Sequence, residues 1–243
     1  MLKLGSAFRG YAIDASDGKI GTIADLLFDD RTWRVRWLVI DTGTWLPGRK
    51  VLLHPGCVGK ANRALRELPA ALTKAQVEGS PELSEHEPMS TQMEQRLYDY
   101  YYPGGTSAEK AFLTNPIATQ YASTRSEQAT GWEDRTTQPD DPESHLRSVV
   151  TITGYSIAGG DGSIGKVEDL LIDDGAWSVA KIVVETGRWW SRKFVLISPD
   201  SVRQISWNER ELRLAITDEQ VEASPPWTPW TKALGICRSD STV

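Results

Sequence analysis

Two similar segments carry the main structural signal of the chain: GYAIDASDGKIGTIADLLFDD at residues 10–30 and GYSIAGGDGSIGKVEDLLIDD at residues 154–174. The two copies continue without a gap over residues 10–83 and 154–227, and 32 of these 74 aligned positions are identical. The offset between them is 144 residues. Such a long period indicates two duplicated domains, because solenoid units are only about 20–45 residues long.

Each copy has the pattern of a small, mainly β domain. Asp17-Gly18 and its counterpart Asp161-Gly162 are two-residue hairpin signals, and the strand that follows is expected to bend or bulge near Gly21. The clearest strand runs from Trp33 to Asp41. The residues expected on one of its faces are Trp33, Val35, Trp37 and Val39. Five or six short strands in about 70 residues predict a small β-barrel, which closes its own edges.

Four regions follow from the composition along the chain. They are a first barrel at 1–83, a short amphipathic helix within 84–102, an acidic flexible linker at 103–147, and a second barrel with a C-terminal tail at 148–243. Met89, Met93, Leu97 and the pair Tyr100/Tyr101 recur at helical spacing and predict a helix over residues 88–101. The linker is predicted because it is polar and lacks apolar periodicity. Each copy also ends in a Thr-capped helical turn with Gln three residues later.

The overall composition excludes several classes of protein. The chain is 40% hydrophobic and 25% charged, with a net charge of −6, which is typical of a globular protein without a general attraction to nucleic acid or anionic lipid. No apolar run approaches the ~20 residues of a membrane span, and the N-terminus lacks the apolar core of a secretion signal. Cys57 and Cys237 are too few for a disulfide framework. We therefore expect a cytoplasmic protein.

The repeated motif resembles the PRC-barrel family. The resemblance is carried by the pattern Gly10-x-x-Ile13-x3-Asp17-Gly18-x-Ile20-Gly21-x-Ile23-x-Asp25-Leu26-Leu27-x-Asp29, by the strand after it, and by the matching residues 154–185. This family includes the cytoplasmic domain of the photosynthetic reaction-centre H subunit and half of a ribosome-maturation factor. The chain also resembles stand-alone bacterial members of the family, which have tandem barrels. The resemblance implies two PRC-type β-barrels, but its motifs specify structure and leave function open.

No catalytic constellation emerges from the residue patterns. The repeated aspartates suggest a Ca²⁺ or Mg²⁺ site, but turn chemistry explains their spacing better. His54 and Cys57 are replaced by Ser198 and Ser201 in the second copy, so they are not part of a shared nucleophile–base design. No phosphate loop, nucleophile elbow or zinc-protease motif is present. We expect neither an enzyme nor a cofactor.

Aromatic and basic loops are the most suggestive exposed features. The candidate partner surface consists of Trp37, Trp45, Arg49, Trp189, Trp190 and Arg192. Trp and Arg are enriched in interface hot spots. Two interpretations of Trp45 and Trp189 stay open, because these side chains either plug one barrel end or contribute to a partner surface. Trp190 is expected to be exposed or at an interface.

These observations favour a non-catalytic protein-interaction or scaffolding module, whose barrels pair with each other or across a homodimer. An alternative, implied by the resemblance to the H subunit, is an accessory of a membrane-bound electron-transport or photosynthetic complex, recruited through the Trp/Arg loops. A third is a ribosome- or RNA-associated factor, which the acidic composition disfavours. The sequence names no partner protein, and we expect no nucleic-acid partner.

Overall fold

A computed structural model describes residues 1–81, 91–101, 145–159, 162–186 and 193–228 of the chain. The strands of the first half are β1 (Leu2–Leu4), β2 (Ala12–Ala15), β3 (Gly18–Asp29), β4 (Arg34–Asp41), β5 (Lys50–Leu53) and β6 (Glu67–Pro69). Those of the second half are β7 (Leu146–Ser148), β8 (Ser156–Ala158), β9 (Ser163–Asp173), β10 (Ser178–Thr186), β11 (Lys193–Ile197), β12 (Val202–Ser206) and β13 (Glu211–Leu214). The predicted mainly β fold is confirmed.

The helices of the described residues are short. They are α1 (Gly5–Phe8), α2 (Lys74–Glu78), α3 (Thr91–Tyr101), α4 (Val149–Ile152) and α5 (Asp218–Glu222), with 3-10 turns at Pro55–Cys57 and Pro199–Ser201. The predicted Thr caps are confirmed, because Thr73 and Thr217 each form a capping box with the Gln three residues later. The predicted amphipathic helix is α3; residues 84–90 and 102 of its predicted region lie outside the described residues.

Each repeat is a curled meander of antiparallel strands. In the first repeat β2, β3, β4 and β5 pair in sequence order, and β6 returns to pair in parallel with β2. The bulge expected near Gly21 is confirmed, since the β2–β3 register shifts there. Only glycine fits at Gly21, because an added Cβ would lie 2.1 Å from the carbonyl oxygen of Asp41. Gly165 makes the same approach to Glu185 in the second repeat.

The predicted common face of β4 is wrong. The register against β3 shifts between the pairs Leu27–Trp37 and Phe28–Val35, which leaves Arg36 as a bulge residue. Val35 therefore points into the main core, whereas Trp37 points to the outer side of the sheet. The second repeat has the same shift at Ala180. An extra residue reverses the alternation of side chains, which a strict period of two cannot anticipate.

The two repeats form one hydrogen-bonded sheet, because each gives its N-terminal strand to the other. β1 pairs with β9 of the second repeat, and β7 pairs with β3 of the first. The main hydrophobic core accordingly contains buried residues from both repeats. The linker was expected to extend to Arg147, but Leu146–Arg147 already belong to β7. The rest of the predicted linker, 103–144, lies outside the described residues.

Candidate functional site

Trp37, a predicted partner-surface residue, lies beneath α3 and is 0% exposed. It packs with Leu52 of β5 and with Leu97 and Tyr98 of the helix. Its indole Nε1 donates a hydrogen bond to the Glu94 carboxylate at 3.0 Å. The surface that Trp37 offers is thus covered by a helix of the same chain. The bulge at Arg36 is the reason, because it turns Trp37 to the outer face.

A buried polar network fixes α3 on this face. The Arg36 guanidinium lies 2.9 Å from a Glu94 carboxylate oxygen and 3.5 Å from Asp29. Its Nε donates to the Tyr98 hydroxyl at 3.0 Å. Burial raises the pKa of Tyr98 to about 12, although the Arg36 charge opposes the shift. Charge-assisted hydrogen bonds of this kind set the register of the helix as well as its affinity.

The equivalent outer face of the second repeat has a different cover. Lys181 and Leu196 stand at the positions of Trp37 and Leu52. Trp227 packs there on Leu171 and Val183. The Trp227 amide donates to the Phe194 carbonyl at 2.8 Å, so that the segment Pro225–Trp227 continues the sheet beyond β11. The two repeats therefore present distinct outer surfaces.

The Trp45–Arg49 loop closes one end of the first barrel. Trp45 is partly buried against the main core, and its indole N–H donates to the carbonyl of Ile20. The Arg49 guanidinium donates to the carbonyls of Glu78, at 2.6 Å, and Ser80. These contacts agree with one of the two interpretations given above, in which Trp45 plugs one end of the barrel. The corresponding loop of the second repeat, with Trp189, Trp190 and Arg192, lies outside the described residues, so its proposed role stays a prediction.

The groups considered for catalysis or metal binding have structural contacts. Asp29 accepts hydrogen bonds from the amides of Arg31 and Thr32 in a turn. Asp17 accepts from the amide of Lys74 at 2.9 Å. His54 Nδ1 accepts from the Gly56 amide at 3.0 Å and caps the 3-10 turn that contains Cys57. Within the described ranges, no three His, Cys, Asp or Glu side chains are grouped to hold a metal ion.

The sequence predicts that the barrels pair, but it does not identify the residues of the seam where the repeats meet. Asp25 accepts a hydrogen bond from the Val150 amide at 3.1 Å, and Asp169 accepts one from the Ser6 amide at 3.2 Å. Burial raises the pKa of Asp25, although hydrogen bonds from Ser148 and Val150 lower it in part. The sequence pattern predicts only a local turn role for both aspartates. Each in fact holds the N-terminal helical turn of the other repeat.

A weak signal for the seam exists before the aligned copies begin. Leu2 and Leu146 are identical at the same offset of 144 residues, and Lys3 corresponds to Arg147. The duplication thus starts upstream of Gly10, at residues that form β1 and β7. Their pairing with the opposite repeat depends on contacts far apart in sequence, which periodicity within one copy does not reveal.

Comparison with known families agrees with this architecture. A family model described as the PRC-barrel domain matches residues 7–63 and 147–221, which together make up more than half of the chain. The second match begins inside β7. The resemblance inferred from the repeated motif is thereby confirmed. No curated protein matches the chain significantly. In the part of the chain that the structure describes, no helix has both the length and the apolar character needed to cross a lipid bilayer.

Proposed function

This chain belongs to the PRC-barrel domain family, and from that premise we propose that it is a non-catalytic module for protein interaction and scaffolding. One observation carries the proposal: a duplicated fold holds its two repeats together while giving them different outer surfaces. α3 covers the first repeat, whereas Pro225–Trp227 lies against the second. Two unlike surfaces held on one continuous sheet suit a protein that brings partners together.

The contacts of the buried charged side chains support a non-catalytic role. Arg36 and Glu94 anchor a helix, and Asp25 and Asp169 hold the exchanged helical turns. An active site needs titratable groups that face a pocket and remain available to a substrate. These four groups are instead directed at other parts of the chain.

The partner surface is proposed at the loop of the second repeat that contains Trp189, Trp190 and Arg192. Its first-repeat counterpart, Trp45 and Arg49, is engaged by the carbonyls of its own barrel. The second loop has an additional Trp, because Trp190 stands where the first repeat has Leu46. Trp and Arg together are the residue types that most often dominate binding energy.

Affinity capture from extracts of the source cells tests the proposal. The full chain is compared with a Trp190→Ala/Arg192→Ala variant and with Trp207→Ala, a matched control that removes a Trp exposed to 53% from a different hairpin. We expect a defined protein to bind the wild type and the control and to be lost by at least tenfold with the double variant. Equal capture by all three, or none by any, contradicts the proposal.

The same experiment separates the alternatives. An accessory of a membrane complex predicts that the captured protein sediments with membranes, and that this chain cosediments until Trp190 is replaced. A ribosome- or RNA-associated factor predicts capture that falls steeply with salt. We favour a protein partner outside both classes, since the net charge of −6 gives no general attraction to RNA or anionic lipid.

A further inference from the structure

The seam between the repeats has near-twofold symmetry. Arg34 of β4 pairs with Ser178 of β10, and these two residues are each other's equivalents at the offset of 144. Around this pair, the Val35 amide donates to the Trp177 carbonyl at 2.8 Å. The equivalent bond runs from the Val179 amide to the Trp33 carbonyl at 2.7 Å. The same contact is thus made in both directions, as at the interface of a symmetric dimer.

The exchanged arms obey the same symmetry. We define the arms as residues 1–8 and 145–152, which contain β1–α1 and β7–α4. Each arm carries a cation that meets an aspartate of the opposite repeat. The Lys3 ammonium lies 3.5 Å from Asp174, and Arg147 Nε lies 2.7 Å from Asp30. The strand pairing of each arm and its ion pair with the opposite repeat are therefore present twice in one chain.

The two repeats nevertheless prefer an unlike partner. Gly5 of α1 packs against α4, and a Cβ added at Gly5 would lie 2.6 Å from Val149 Cγ1. Gly5 and Val149 are equivalents in the repeat. Two second repeats would bring valine against valine at this contact, whereas a first and a second repeat combine the small residue with the large one.

We propose that a second copy of this chain fits the seam, with the first repeat of each copy pairing with the second repeat of the other. This inference deepens the proposed function, because it names a partner for an interaction module. The contacts of a seam between chains are those already described within one chain. Reciprocal exchange also closes the assembly at two chains, since both seams are then satisfied.

Pairing within one chain competes with this assembly. The two repeats belong to one chain, so their pairing is intramolecular, and a covalent connection corresponds to an effective concentration of up to about 1 mM. Dilute wild-type chains therefore fold as monomers, and exchange between chains needs either high concentration during folding or a bias against the internal seam. Such a bias can be built from the charge pairs of the arms.

A charge exchange across two full-length chains provides the test. One chain carries Arg147→Asp and the other carries Asp30→Arg. Each alone has like charges at its internal seam. When the two variants are folded together in equimolar amounts, one seam between the chains contains both substitutions, which restores the ion pair with reversed charges. The other seam contains only wild-type residues. We expect monomers with lowered melting temperature from each variant alone, and a dimer with a restored melting temperature from the mixture, by native mass spectrometry and calorimetry.

Two further samples make the result decisive. Lys3→Glu and Asp174→Lys repeat the design at the other arm, in case one substitution prevents folding. Lys3→Glu mixed with Asp30→Arg is the mismatched control, because like charges then remain in both seams between chains. Mixtures that stay monomeric with both matched pairs, or dimers that form equally with the mismatched pair, overturn the proposal. Neither result bears on the capture experiment, so the two proposals fail independently.

Discussion

At the scale of single residues, equivalent positions of the two repeats contribute to the seam in different ways. Gly5 and Val149 occupy the same place in the two arms, yet one is the smallest residue and the other is β-branched. Trp33 and Trp177 both have positive φ values, of 56° and 48°, and their carbonyls accept the hydrogen bonds across the seam. Such left-handed conformations are uncommon for bulky residues. At Trp33 the amide also donates to the Asp29 carbonyl at 2.7 Å, so that this conformation belongs to the turn between β3 and β4 as well as to the seam.

Gly5→Val is predicted to destabilise the fold by about 1–3 kcal/mol, because the new side chain overlaps Val149. Val149→Gly alone leaves a cavity and also costs stability. The double variant, which exchanges the two residues, is expected to lose less than the sum of the single changes. Urea unfolding gives all three values, with the exposed Val150→Ala as control. A double variant that loses the full sum would show that these residues do not pack together.

At the scale of elements, α3 distinguishes the first repeat from the second. Leu97 and Tyr98 of the helix are buried against Trp37. Glu94 accepts a hydrogen bond from Trp37 and forms an ion pair with Arg36. The helix is only 11 residues long, and isolated helices of that length are marginal in water. Its stability therefore comes from docking. The sequence pattern identified the helix and its apolar positions, whereas the bulge at Arg36 decided which face receives it.

The docking of α3 is predicted to weaken at alkaline pH. The pKa of Tyr98 is raised from 10.0 to about 12 in the folded protein. The folded state thus holds this proton more tightly than the unfolded state. Stability is therefore fully present below pH 10 and is lost as the pH rises from 10 to 12, by up to about 2–3 kcal/mol at ~1.4 kcal/mol per pKa unit.

Tyr98→Phe provides the comparison. It removes the hydrogen bond with Arg36 and costs about 1 kcal/mol at pH 8, but it also removes the ionising group. The free energy of unfolding is measured in urea at several pH values between 8 and 12. The difference between wild type and variant is expected to shrink or reverse sign above pH 10, while Tyr100→Phe follows the wild type. Parallel curves for wild type and Tyr98→Phe would contradict this account of α3.

At the scale of the whole molecule, the exchanged arms make the two repeats one folding unit. The main core includes buried residues of both repeats, among them Phe8, Phe28, Ile152 and Ile172. β1 and β7 each complete the sheet of the opposite repeat. A duplicated barrel of about 70–80 residues is near the lower size limit for an independent core. Sharing arms enlarges the core that each barrel can use.

Cutting the chain between the repeats is predicted to leave them associated. A protease site is inserted between residues 103 and 144, and the full chain is cleaved after folding. We expect the fragments to elute together without denaturant and to unfold in one transition, whose midpoint now depends on concentration. The same cut with Asp25→Ala and Asp169→Ala is expected to release the fragments more readily, since the exchanged turns lose their acceptors. Fragments that separate at micromolar concentration from the otherwise unchanged chain would disprove this.

The sequence by itself determined the duplication, the mainly β fold, the capped helical turns and α3. The duplication follows from comparing two segments of the chain. The other features rest on local patterns within one segment, such as the Asp-Gly turns, the Thr caps and the helical spacing of Leu97 and Tyr101. The direction of the Trp37 side chain and the contact of Asp25 with the opposite repeat emerge only from the folded chain. A single bulge residue reverses the direction of every side chain after it, and the arms bind residues more than 100 positions away. Local periodicity predicts neither the bulge nor the pairing of the arms, because both depend on which strands meet.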